Sequence, residues 1–192
     1  VLDGRIHPTR IEEIVTKVAQ EMDETIVRLG EEAVFKVGLP PMHPEIVKLL
    51  GRLHFRHSFA QNLLHHSIEV AQFMGLMAAE LGIEVPAARR AGLLHDIGKA
   101  LNHEVEGSHA IIGADFIKRY GECDEVVNGV ASHHDEVPHS CLLGILVSAA
   151  DAMSAARPGA LSETMATYIN RLEHLEKIGA SFPGVDKCFA VQ

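Results

Sequence analysis

Between residues 9 and 29, apolar side chains fall at Ile11, Ile14, Val15, Val18, Met22, Ile26 and Leu29, separated by charged and polar positions. Intervals of three and four place them on one stripe of a helix. Thr9 with Glu12 has the form of a capping box at its start, and Gly30 is expected to end it. The following "AVFKV" alternates as a strand does and predicts a short strand over 33–37, before Gly38, Pro40 and Pro41 break the chain near residue 40. From His43 onward the helical period returns, predicting helices at about 43–54, 60–82, 86–98, 108–120, 124–134, 139–156 and 160–178. The closing "GVDKCFAVQ" has weak strand character, so 185–191 is expected to be available as a partner for 33–37. The expected fold class is all-α: a helical bundle over 41–180, a helical extension over 1–40, and a short segment over 181–192 that stops abruptly.

Composition narrows the function classes. The 192 residues suit one well-buried domain with a modest extension. A net charge of −9 argues against gripping nucleic-acid phosphates by bulk charge, so any such partner must be held by local chemistry. Cys123, Cys141 and Cys188 are scattered and odd in number, which suggests neither a disulfide framework nor a zinc ribbon. There is no signal peptide and no apolar run near the ~20 residues of a membrane span. A reducing cytoplasm is the expected setting, and the start at Val1 suggests a fragment or a processed product.

The thirteen histidines carry most of the chemistry, because several sit near the ends of separate predicted helices. His66 follows "QNLLH", His95 and Asp96 precede Gly98, His109 opens a helix, His133 and His134 end another, and Asp151 interrupts "LLGILVSAADAMSAA". A buried carboxylate is costly unless paired or bound to a cation, so Asp151 requires a partner. Five histidines and two aspartates are enough ligands for a two-metal centre. His7, His43, His54, His139 and His174 read as surface or satisfied core groups, and His57 as solvent-facing. Spacing leaves His65 and His66 as competitors for one ligand position. The 133/134 pair alone fits a helix C-cap, and Asp151 alone fits a packing carboxylate bonded to a hydroxyl.

"LLHDIGK" resembles the signature of the HD-domain metal-dependent phosphohydrolases, whose ordered pattern falls on His66, His95–Asp96, His109, His133–His134 and Asp151. Within that superfamily, "QNLLHHSIEVAQFMGLMAAELG", "RAGLLHDIGKALNHEVEGSHAIIGADF", "ASHHDEV" and "AADAMSAARPGA" are similar to a bacterial endoribonuclease branch. "RHSFAQ" and "LLHHS" depart from that branch's usual residues and put local substrate contacts in doubt.

The resemblance implies an HD-domain bundle over 41–180 holding two divalent ions drawn from Mn, Mg, Zn or Fe. It assigns His66, His95 and Asp151 to one ion, His109, His133 and His134 to the other, and Asp96 between them as the bridging catalytic carboxylate. Lys99 would act at a phosphate or leaving oxygen and Arg157 would clamp a phosphate, unless they only serve the ends of their helices. The implied activity is metal-dependent endoribonucleolytic hydrolysis of single-stranded RNA, as in bacterial mRNA decay, by a homodimer. The implied parent protein carries a KH domain and is anchored at the cytoplasmic face of the cell membrane. A cyclic-nucleotide phosphodiesterase is the first alternative, although His133–His134 is followed by Asp135-Glu136-Val137-Pro138 rather than the Gly-Tyr-Pro of the cyclic-dinucleotide enzymes. A non-catalytic dimerisation module is the second, and the complete ligand set argues against it.

Overall fold

A computed structural model describes residues 8–58, 61–101, 107–156, 173–174, 176–182, 185 and 187–189. Its elements in chain order are α1 (Pro8–Val37), α2 (Pro44–Arg52), a 3-10 turn (Leu53–Phe55), β1 (His57–Ser58), β2 (Gln61–Asn62), α3 (Leu63–Leu81), α4 (Val85–Leu94), a second 3-10 turn (Ile97–Ala100), α5 (His109–Arg119), α6 (Asp124–Ser132) and α7 (Leu142–Ala155). The two short strands form an antiparallel pair, with His57 opposite Asn62 and Ser58 opposite Gln61. The described part is therefore a helical bundle with one minimal hairpin. Of the expected helix at 160–178, residues 173–174 and 176–178 are helical and the others lie outside the described residues.

The first helix differs from the sequence expectation. It does not stop at Gly30, and the strand expected over 33–37 is helix instead. Gly30 is buried against α2, where a Cβ would lie 2.1 Å from the Val47 carbonyl oxygen. Gly51 meets the Ile26 carbonyl oxygen equally closely from the other side, at 1.9 Å. These glycines let two helix backbones touch; neither terminates a helix. The buried set Ile26, Gly30, Ala33, Val34 and Val37 follows the helical period, while Phe35 is 85% exposed, as no alternating inward strand permits. Termination comes at Gly38, whose φ of 72° is the left-handed geometry glycine adopts without strain. Residues 185 and 187–189 form no strand either, and 190–192 lie outside the described residues.

The core lies between α2, α3, α4, α6 and α7, where Ile46, Leu50, Val70, Met74, Leu93, Leu94, Val126, Val130 and Val147 are fully buried. Small residues bring α3 and α4 together: a Cβ on Gly92 would sit 2.9 Å from Ala71 Cα. Asn62 caps α3 by accepting from the His65 amide, and Gly82 closes that helix in the left-handed conformation. Ser108 caps α5 by accepting from the Ala110 amide. By contrast, the first two turns of α1 are exposed throughout. No helix among the described residues is long and apolar enough to cross a membrane.

Candidate metal centre

Five helices deliver seven polar side chains to one place. His66 lies in the first turn of α3, His95 caps the end of α4, and Asp96 follows it into the 3-10 turn. His109 opens α5, His133 and His134 follow α6, and Asp151 sits within α7. The approach of the 3-10 turn to α5 is set by glycine, since a Cβ on Gly98 would lie 2.0 Å from the His109 carbonyl oxygen.

Two groups result. The ligand atoms of His66, His95 and Asp151 lie within 4.8 Å of one another, and so do those of His109, His133 and His134. Asp96 stands between the groups. Its Oδ2 is 3.5 Å from His95 Nε2 and 3.9 Å from His66 Nε2, while its Oδ1 is 3.3 Å from His109 Nε2. His66 Nε2 is also 3.0 Å from Asp151 Oδ1. His133 and His134 have ring centroids 4.0 Å apart, and His134 faces His109 at 5.0 Å.

Main-chain acceptors orient two of these rings. His95 Nδ1 donates to the Gly92 carbonyl at 2.8 Å, and His133 Nδ1 to the Val130 carbonyl at 2.6 Å. Both acceptors lie in the last turn of a helix, where carbonyls lack helical partners. A ring that donates through Nδ1 leaves Nε2 with a lone pair. The Nε2 atoms of His95, His109 and His133 are buried without a hydrogen-bond partner, as is Asp96 Oδ1. One unsatisfied buried acceptor costs about 1–3 kcal/mol. Several in one cavity, beside carboxylates, fit a divalent cation, so these residues meet the donor chemistry of a metal site.

The electrostatics agree with that fit. Burial pushes His133 down to about 3, with His95 and His134 adding to the effect, and burial likewise lowers His95. These rings are neutral at pH 7, the form in which imidazole binds metal. Burial alone would raise the Asp96 carboxyl, but His95, His109 and Lys99 outweigh it and hold it well below the usual carboxylate range. Asp151 is likewise lowered, its burial outweighed by its bond with His66.

Among the other residues expected to matter, Lys99 places Nζ 2.7 Å from Asp96 Oδ2 and remains partly exposed. Arg157 lies outside the described residues. His65 is exposed while His66 is buried, which decides between them. His43 caps α2, His54 packs edge-on against Phe55, and His139 pairs with Asp135 at 2.7 Å. Ser154 and Glu69, which no motif in the sequence singles out, also join the site. Ser154 Oγ lies 2.9 Å from His66 Nδ1 and donates to Glu69 Oε2. The available signal was spacing, Glu69 three residues after His66 and Ser154 three after Asp151.

Residues 63–156, which hold all seven candidate ligands, match the HD domain family. Over 192 residues the chain is 62% identical to Ribonuclease Y of Acetivibrio thermocellus and 58% identical to Ribonuclease Y of Desulfotalea psychrophila. Each match covers 100% of this chain and 37% of the relative, so the chain spans little more than a third of those proteins. A solved structure described as an HD superfamily hydrolase, from an uncultured Thermotogales bacterium, superposes with a TM-score of 0.49 at 20% identity, covering 70% of this chain and 75% of that one.

Proposed function

We propose that this chain, matching the HD domain family over residues 63–156 and similar along its whole length to ribonucleases Y, is a metal-dependent endoribonuclease unit hydrolysing phosphodiester bonds in single-stranded RNA. The observation that carries the reading is the pair of three-ligand groups sharing Asp96, with unpartnered Nε2 atoms turned inward. In this reading residues 41–180 are the catalytic unit and 1–40 a helical extension.

His66, His95 and Asp151 would hold one ion, His109, His133 and His134 a second, with Asp96 common to both. Divalent metal at such a site lowers the pKa of bound water and neutralises phosphate charge. The chain's own contributions are geometric and electrostatic. The carbonyls of Gly92 and Val130 lock two rings with Nε2 inward, so little reorganisation remains when ligands engage. Lys99, at the rim of the site, would bind a phosphate oxygen or the leaving oxygen with its ammonium. Arg157 is retained in the proposal as a phosphate contact.

RNA as substrate and mRNA decay as setting rest on the relatives' printed name and on the family resemblance. The homodimer is supported by the exposed apolar positions Ile14, Val15, Val18 and Met22 along α1. A membrane-anchored parent with a KH domain, acting at the cytoplasmic face, completes the proposal.

The test is metal analysis of the purified chain with cleavage of 5′-monophosphorylated single-stranded RNA and of a cyclic dinucleotide, each with and without chelator. Chelator-sensitive RNA cleavage is the expected result. Hydrolysis of the cyclic dinucleotide alone would favour a phosphodiesterase, and no turnover of either would favour a dimerisation module.

A further inference from the structure

Behind His66, the two helices that frame the first ligand group carry a second pair of polar side chains. On α3 Glu69 follows His66 by three residues, and on α7 Ser154 follows Asp151 by three. Each pair therefore shares a helix face. Packing of α3 on α7 engages both nitrogens of the His66 ring: Nε2 is 3.0 Å from Asp151 Oδ1, and Nδ1 is 2.9 Å from Ser154 Oγ. Ser154 is fully buried, and its hydroxyl donates to Glu69 Oε2 at 2.5 Å.

A hydroxyl has one hydrogen to donate. With that hydrogen committed to Glu69, Ser154 meets His66 only as an acceptor, so Nδ1 carries the ring hydrogen and Nε2 of the neutral imidazole offers a lone pair. That position faces the Asp151 carboxylate, also an acceptor, so the contact between His66 and Asp151 is made through a cation: a proton in the metal-free protein, or a metal ion in its place. His95 and His133 stand at helix ends and find main-chain acceptors for Nδ1 three residues back. His66 stands in the first turn of α3, where the carbonyls are taken by the helix that follows. Its acceptor has to come from another element.

We propose that Glu69 is a positioning residue for metal at the His66, His95 and Asp151 position, acting through Ser154 to fix the tautomer and orientation of His66. The inference rests on the metal-dependent reading above. An anionic end to the chain also strengthens the hydrogen bond at the ring and with it the ligand.

Glu69→Gln keeps the shape but replaces an acceptor-only group with one whose amide can donate. Ser154 is then free to turn its hydrogen toward His66 and drive the ring hydrogen to Nε2. Mn2+ titrated into the full chain should bind one position about 10–100-fold more weakly in Glu69→Gln, with the other position unchanged. Ser154→Ala should behave alike, and Ser154→Thr, which keeps the hydroxyl, should restore binding toward the wild type. Imidazole nitrogen NMR of the metal-free protein should report hydrogen on Nδ1 of His66 in the wild type and its loss from Nδ1, leaving hydrogen on Nε2 alone, in Glu69→Gln, a readout that simple loss of packing does not move. Wild-type affinity at both positions in Glu69→Gln would overturn the proposal, as would weakened binding with the hydrogen still on Nδ1. A wild-type chain that takes up no divalent ion would overturn the underlying metal reading instead.

Discussion

Replacing Asp96 by asparagine alters little but charge at the residue that stands between the two candidate ligand groups. Asp96 is 1% exposed, with His95 and His66 near one oxygen and His109 near the other. The amide keeps the volume and removes the negative charge, so cation binding at both groups should fall together. At a metal concentration of about 100 times Kd, binding to the folded state alone adds ~2.7 kcal/mol of stability. For a chain of this size 1 kcal/mol moves Tm by roughly 2–4 °C, so metal should raise the wild-type Tm by roughly 5–11 °C. In Asp96→Asn that rise should vanish. The metal-free protein loses a charge-assisted bond to Lys99, at most about 1.5–3 kcal/mol. Relief of burying a carboxylate offsets part of this, and the Lys99 ammonium already reaches solvent. The metal-free Tm should therefore move less than the metal-induced shift. Losing several kcal/mol of charge stabilisation in the reaction amounts to about three orders of magnitude in turnover. Differential scanning fluorimetry with and without Mn2+, alongside elemental analysis, measures the first quantity, and single-stranded RNA cleavage the second. His109→Ala is the control, touching one group only, and should halve the bound metal. An Asp96→Asn protein with full metal content and the wild-type Tm rise, or with turnover within tenfold of wild type, would refute the shared-carboxylate argument.

The folded pKa values of His95, His133, Asp96 and Asp151 all lie below their ordinary values, His133 at about 3. The unfolded chain then binds more protons, so the stability these groups confer is present above about pH 6.5 for the histidines and about 3.9 for the aspartates and is lost as pH falls. His133 alone should cost on the order of 3 kcal/mol between pH 6.5 and 4, and urea unfolding in chelator that is flat over that range would contradict the assignment. Gly98→Ala forces a Cβ against the His109 carbonyl and should cost about 1–3 kcal/mol while weakening metal at the His109 group; unchanged chemical denaturation and metal content would count against the close approach. With a net charge of −9, RNA affinity of an inactive metal-loaded form should depend strongly on metal and only weakly on salt. A steep salt slope that survives chelation would move the grip from the metal centre to a basic surface elsewhere on the protein.

What was legible in the sequence is whatever ligand chemistry forces on residue type. A carboxylate in "LLGILVSAADAMSAA" or a His-Asp pair inside "GLLHDIGK" is costly without a cation, so the candidate ligands that the structure brings together stand out from apolar surroundings. What depends on a partner element was not legible. Gly30 reads as a helix stop until α2 is seen seated on it, and "AVFKV" reads as alternation until Val34 is seen buried beside Ala33. Ser154 and Glu69 had the right spacing, but only the docking of α3 on α7 joins them to His66. The choice of His66 over His65 was within reach. The buried stripe of α3 runs Leu63, His66, Ser67, Val70, Ala71 and Met74, and counting back from Met74 and Val70 reaches position 66.

The helix-cap reading of His133 and His134 and the ligand reading are alternatives in the sequence, but in the structure one geometry serves both. Successive residues within a helix point about 100° apart, so two adjacent side chains cannot both address one ion from a helix interior. Helix α6 stops at Ser132, His133 caps it with its Nδ1 on the Val130 carbonyl, and Asp135 turns the chain with a φ of 60°. Only past that stop do a buried and an exposed histidine bring their rings within 4.0 Å and join His109 in one group. The same holds where α4 ends at Leu94, so that His95 and Asp96 converge although they are adjacent. Adjacent ligand-type residues at a predicted helix end thus carry more information than the same pair inside a helix. The break needed for capping is also what would let both side chains face one cation.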